Sequence, residues 1–252
     1  MAEDAPLAGK VAIVTGSARN IGRAIVLALA DAGAAVVVNA RADRAGVEET
    51  VGLVTRKQGR AIAHMADVTS EAAVKGMVDA ALAAFGGLDI LVNNAAVRRQ
   101  QAFESMTLAQ WREIMAIALD GAFLCARAAV PHMLKAGAGT IVNIGGRTGH
   151  MGAAERAHVI AAKAGIVGLT KALAIEYAQK GITANCVVPG VIDTARGASA
   201  GGSGHHPGGE TPPMGRKGRP EEIAAMVRHL CLPQSRFITG QTMHVNGGHY
   251  LP

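Results

Sequence analysis

The chain has 252 residues, of which 50% are hydrophobic and 17% charged, with a formal net charge of +6. That length suits one large domain with a sizeable core, and that hydrophobicity excludes wholesale disorder. The longest basic cluster is Arg216-Lys217-Gly218-Arg219 and stacking aromatics are scarce (one Trp, two Tyr, four Phe), so no nucleic-acid surface is expected.

In chain order, the apolar run Val11-Ala12-Ile13-Val14 predicts a fully buried first strand within 10–15. A glycine-bearing segment follows, then a helix over 21–32 that stops at Gly33. Strands are expected at 35–39, 60–65, 89–92, 140–144, 183–188 and 241–245. Helices are expected at 43–57, 70–85, 107–136 with a bend near Pro131, 155–179 and 220–231. The stretch 196–218, rich in Gly, Pro and Ser, reads as a mobile loop rather than a domain linker. Strand and helix alternate throughout. The pattern predicts one α/β domain over 1–252, a doubly wound parallel sheet with helices on both faces.

Cys125, Cys186 and Cys231 are widely spaced with no CxxC pair, so reduced thiols and no metal site are expected. The amino terminus has no apolar signal core, and no apolar run approaches the roughly 20 residues of a span, so a cytoplasmic protein without a membrane partner is expected.

The segment Thr15-Gly16-Ser17-Ala18-Arg19-Asn20-Ile21-Gly22 lies between the first strand and the first helix. Gly16 permits a tight turn, and the helix start beyond it offers free N–H groups and the positive end of a dipole, a site for a pyrophosphate. This arrangement predicts a Rossmann-type dinucleotide site. The segment resembles the short-chain dehydrogenase/reductase family, whose pattern is Thr-Gly-x-x-x-Gly-x-Gly. Asn93-Asn94-Ala95, Pro189-Gly190 and Val245-Asn246-Gly247-Gly248 also match that family, and the resemblance covers essentially the whole chain. Asn20 stands where the family has its middle glycine; Asn is the residue other than Gly that best tolerates positive φ. An acid at the end of the second strand would hold ribose hydroxyls and repel a 2′-phosphate. Here the strand ends Asn39-Ala40-Arg41, and Arg19 lies in the glycine segment, so NADP(H) is expected. The resemblance implies that Asp67 and Val68 flank the adenine, that Asn93 approaches the ribose and Lys163 binds it, that Ile192 and Thr194 reach the carboxamide end, and that Ala95, Pro189 and Gly190 also belong to the cofactor site.

The same resemblance implies a catalytic Tyr four residues before a Lys, a Ser about 13 residues before the Tyr, and an Asn on the preceding long helix. The Lys is Lys163, in Ala161-Ala162-Lys163-Ala164-Gly165. The Tyr position is Val159, the Ser position Gly146 and the Asn position Ala118. Of the other tyrosines, Tyr177 lies 14 residues beyond Lys163, roughly 21 Å along a helix, and Tyr250 stands near the end of the chain. The candidate catalytic groups are therefore Lys163, His158 and Arg147. His158 adjoins the Tyr position but points about 100° away from it on a helix. Arg98, His150 and Arg156 are further pocket candidates, as are His205, His206 and Glu210 in the 196–218 loop.

Three functions stay open. One is an NADP(H)-dependent oxidoreductase with an altered proton route, acting on a small carbonyl, iminium or anionic substrate. A second is non-redox chemistry on the same fold: hydrolysis, carbon–carbon cleavage or elimination. The third is a nucleotide-binding subunit without catalysis. The resemblance further implies a homotetramer or homodimer.

Overall fold

Short runs rich in Val, Ile, Leu and Ala, buried on both faces in the central strands and partly exposed in the two edge strands, form a seven-stranded parallel sheet. The computed structural model of the chain describes residues 5–194 and 211–252. The elements run β1 (Val11–Val14), α1 (Asn20–Asp31), β2 (Ala35–Ala40), α2 (Arg44–Thr55), β3 (Ala61–Met65), α3 (Glu71–Phe85) and β4 (Ile90–Asn93). They continue with α4 (Leu108–Met115), α5 (Gly121–Ala136), β5 (Gly139–Ile144), α6 (Thr148–Met151), α7 (Ala157–Tyr177), β6 (Ile182–Pro189), α8 (Pro220–Cys231) and β7 (Thr242–Val245). The strand order is β3-β2-β1-β4-β5-β6-β7, so the winding reverses between β1 and β4. Loops at the carboxyl ends of those two strands part there and leave a crevice, the usual ligand position in such sheets.

Alternate residues of each strand feed two cores. Ala12, Val14, Val36 and Val38 pack with α1, α2 and α8 through Ile25, Leu29, Val47 and Val227. Val11, Ile13 and Val37 pack on the other face with Met77 of α3, Met133 of α5 and Ala174 of α7. β1, β4, β5 and β6 are buried along their whole length, which fits their mostly apolar sequences; the buried Asn93 and Asn143 among them hydrogen-bond to one another.

The expected helix over 107–136 is corrected in one respect. It carries a π-helical turn at Ala116–Asp120, and Pro131 causes no break, since it lies inside α5, which runs on to Ala136. A Cβ added at Gly121 would sit 2.8 Å from Val68 Cγ2, so the helix turns where it presses closest on the loop after β3. The expected helix over 155–179 begins at Ala157, and the one-turn α6 precedes it. Gly152 at φ 79° and Glu155 at φ 58° break the chain between them. The membrane expectation is also amended. The stretches Leu108–Ala136 and Ala157–Lys180 are long and apolar enough to cross a membrane by length and composition, with mean hydropathy 1.6 and 1.4. Here the apolar sides of both lie against the sheet.

Candidate active site

The turn after β1 is built for close approach. Gly16 has φ +62°, and a Cβ there would lie 2.8 Å from Ala95 Cα; one at Gly22 would lie 2.4 Å from the Gly16 carbonyl oxygen. Asn20 adopts φ 53°, as expected of the residue replacing a glycine. Arg19 stands at the N-cap of α1 without a side-chain cap, so the first-turn N–H groups have no side-chain acceptor from that position. Those uncapped groups beside a glycine turn fit a pyrophosphate.

Three polar side chains brace this turn. The Thr15 hydroxyl accepts from the Asn94 and Ala95 backbone N–H groups, each at 3.0 Å. Asn94 Nδ2 donates to the carbonyls of Thr15 and Gly16, both at 2.9 Å. Asn39, 1% exposed, accepts from the Gly16 N–H and donates to the carbonyls of His64 and Ala66. Sequence reasoning assigned none of these braces, although Asn94 was visible in its motif. Arg41 follows β2 and lies 3.9 Å from Asp67 after β3. Asp67 also accepts from the Thr69 N–H and hydroxyl, and Val68 is buried. Asn93 Nδ2 donates to Asn143, whose amide donates to Thr170, so the Asn93 side chain is tied into the body of the protein.

A cavity of about 210 Å³ opens at the carboxyl ends of β4, β5 and β6. Ile21, Pro189, Gly190, Ile192, Thr194 and Lys163 line it together, joining the nucleotide turn to the expected carboxamide end. Among the described residues its charged lining comprises Arg98, Arg99, Arg147, Arg156, Lys163 and Lys217 against one acid, Asp193. Arg99 is held by Glu113 through two contacts of 2.9 Å. Lys163 Nζ donates to the Ile144 carbonyl at 2.6 Å. Burial, with Arg98 adding repulsion, lowers the Lys163 pKa to about 8. Arg147 is 4% exposed and its Nη1 has no hydrogen-bond partner. Desolvation pushes its pKa down as well. A guanidinium taken from water and left short of acceptors is costly unless an anion meets it.

Gly146 and Val159 both face this cavity. Val159 is 8% exposed and packs with Ile114, Ala118 and Ala162 in one apolar cluster. At the position where the resemblance implies a Tyr the wall is therefore aliphatic, and Ala118, at the Asn position, packs in the same apolar cluster. The structure does not bring His158 into the cavity. It is wholly buried one position round α7, and both ring nitrogens lack hydrogen-bond partners. Desolvation lowers its pKa; the Arg156 backbone and Glu113 oppose this and Arg99 adds to it. Among the tyrosines, Tyr177 sits at the far end of α7. Tyr250 folds back against His150 and His244, with ring centroids 5.6 and 5.0 Å away, outside the cavity lining. The candidates His205, His206 and Glu210 lie outside the described residues, as does most of the expected loop at 196–218. Thr148, Asp193 and Lys217 reach the cavity without having been singled out, since no local pattern marks them.

A family model described as enoyl-(acyl carrier protein) reductase matches residues 16–250. The 3-oxoacyl-[acyl-carrier-protein] reductase FabG of Vibrio cholerae is 38% identical over 245 residues, 97% of this chain and 99% of that one. The (2S)-[(R)-hydroxy(phenyl)methyl]succinyl-CoA dehydrogenase subunit BbsD of Thauera aromatica is 40% identical over 242 residues, 96% of this chain and 97% of that one. The crystal structure of a dehydrogenase/reductase from Sinorhizobium meliloti 1021 matches with a TM-score of 0.90 at 34% identity, covering 99% of both chains.

Proposed function

Because the chain belongs to the short-chain dehydrogenase/reductase family, we propose that it is an NADP(H)-dependent oxidoreductase acting on a small carbonyl compound that carries negative charge. The observation that carries this reading is Arg147, buried and short of acceptors in a cavity it shares with Lys163. The excess of cations there disfavours an iminium ion and favours an anion. Arg19 and Arg41 would meet the 2′-phosphate, and the uncapped start of α1 would meet the pyrophosphate. NADPH supplies a hydride when bound; the protein's own part is to place the ring, exclude water and balance charge on the acceptor oxygen. Lys163 and Arg147 are the catalytic-site residues of this reading, with Arg98 and Arg156 beside them. His158 has no place in it. The Vibrio and Thauera relatives are named for acyl groups on acyl carrier protein and on coenzyme A, which makes an acyl-chain carbonyl the first class to try. The reading extends to a cytoplasmic homo-oligomer, a tetramer or dimer, with neither nucleic acid nor membrane as partner.

A nucleotide-binding subunit without turnover is the second reading, favoured by the aliphatic Val159 in the cavity wall and the apolar cluster with Ala118 behind it. Mixing the protein with NADPH and a panel of neutral and anionic ketones, and following the absorbance of the reduced nicotinamide, separates the two. The proposal expects turnover with anionic members. Product without an absorbance change would point to non-redox chemistry. Nucleotide binding with no product from any member refutes the oxidoreductase.

A further inference from the structure

We infer that the Lys163 ammonium itself delivers the proton to the substrate oxygen, taking the part left open by the aliphatic residue one turn before it. The inference rests on the oxidoreductase reading above and supplies the proton donor that reading lacks.

The geometry starts at Gly146. A Cβ built there would lie 3.3 Å from Lys163 Cγ, 3.7 Å from Cδ and 3.8 Å from Cε. The Lys stem therefore runs across the wall that a larger residue at 146 would occupy, and glycine leaves that wall to the lysine. The head is then fixed: Nζ spends one N–H on the Ile144 carbonyl at 2.6 Å and lines the cavity. An ammonium has three N–H donors, so donors remain for a ligand.

The choice of donor follows by comparing the groups that face this head. Arg98 after β4, Arg147 after β5 and Arg156 before α7 keep their protons at any working pH. Asp193 after β6 ends in a carboxyl group, which only accepts hydrogen bonds when ionised. Lys217 is exposed. Cys186 on β6 lies behind Lys163, buried at 0% exposure, with its thiol pushed up to about 11. Val159, Ala118 and Ala162 offer no proton at all. Among the described residues of the lining, Lys163 is left as the buried group that both holds a proton at neutral pH and can release it. Its lowered pKa, from burial and Arg98, agrees with that role.

The step balances. A hydride from the reduced nicotinamide forms the new C–H bond and the carbonyl π pair moves onto oxygen. That oxygen forms an O–H bond as an N–H bond of Lys163 breaks. The cofactor is oxidised, the carbonyl is reduced, and the neutral Lys163 amine takes a proton back from water. Arg147 and Arg98 supply permanent charge around the oxygen without transferring a proton.

Two measurements test this on the full-length protein. The first needs no substrate: the rate of acylation of Lys163 by an amine-specific reagent is followed against pH by peptide mass spectrometry. An apparent pKa near 8 is expected. A value of about 10 or above, the range of a free lysine, overturns the inference. The second compares Lys163→Arg with the wild type, because arginine keeps the charge but does not release a proton. NADPH affinity by calorimetry is expected to stay within about threefold, since the cation remains, while kcat for ketone reduction falls by about 10²–10⁴. The wild type should lose kcat/KM about tenfold per pH unit above about 8, and the variant should lack that limb. A variant with wild-type kcat and the same limb overturns the inference while leaving the oxidoreductase reading intact. No NADPH turnover by the wild type itself sinks the reading and the inference together.

Discussion

Replacing Arg147 by Met should stabilise the ligand-free protein while removing its affinity for anions. Arg147 is 4% exposed, and its Nη1 has no hydrogen-bond partner. A buried donor without an acceptor costs about 1–3 kcal/mol, and the desolvated charge adds to that, less whatever water in the cavity screens. Met keeps most of the apolar stem contact and drops both penalties. A gain of about 1–3 kcal/mol follows, and at this chain length about 2–4 °C of Tm accompanies each kcal/mol. Calorimetric scans at one pH should therefore show the variant melting about 2–12 °C higher. Adding an anionic product analogue at a hundred times its Kd should stabilise the wild type by about 2.7 kcal/mol and leave the variant unmoved. A variant that melts lower than the wild type would show that Arg147 is satisfied without ligand. Equal stabilisation of both proteins by the analogue would remove Arg147 from the anion site.

Asn20 at φ 53° gives a second expectation. Asn20→Gly should be close to neutral and Asn20→Ala should cost about 1–2 kcal/mol in urea unfolding; equal effects would mean the positive φ is not retained in solution. Arg41→Asp should weaken NADPH binding by about tenfold or more in calorimetry with little change for NADH, since it sets a carboxylate against the 2′-phosphate; parallel losses would dismiss Arg41 as the phosphate contact. His158 is buried with its pKa lowered by desolvation, and His150 and His244 shift the same way. A folded pKa below the ordinary 6.5 means stability is full above that value and is lost as pH falls through the lower one. Stability should thus decline on acidification below about pH 6.5, and His158→Leu should flatten the decline; an unchanged slope would place the proton uptake elsewhere.

Much of the architecture was legible locally. The all-apolar runs at 11–14 and 35–38 mark strands buried on both faces, and the glycine segment after the first run marks a phosphate turn. Asn20 in place of glycine was readable because one dihedral angle decides it. The spacing of Val159 and Lys163 placed both on one face of a single helix, so the aliphatic residue beside the lysine followed from sequence alone. These features depend on residues within one element, where periodicity and propensity act. What the tertiary structure decided depends on residues far apart in the chain. Thr15 meets Asn94 across 79 positions, and Asn39 ties the β1 turn to the end of β3. His158 was a candidate by adjacency, yet the helix turns it into the protein. The π-helical turn at 116–120 arises where Gly121 presses on Val68, a contact no local pattern announces. Nothing local in the sequence marks Arg147 as buried; only the folded chain covers its guanidinium and leaves Nη1 without a hydrogen-bond partner. A sequence lists which charges a chain carries, but the cost of each depends on how much water the folded neighbours remove, and that is set in three dimensions.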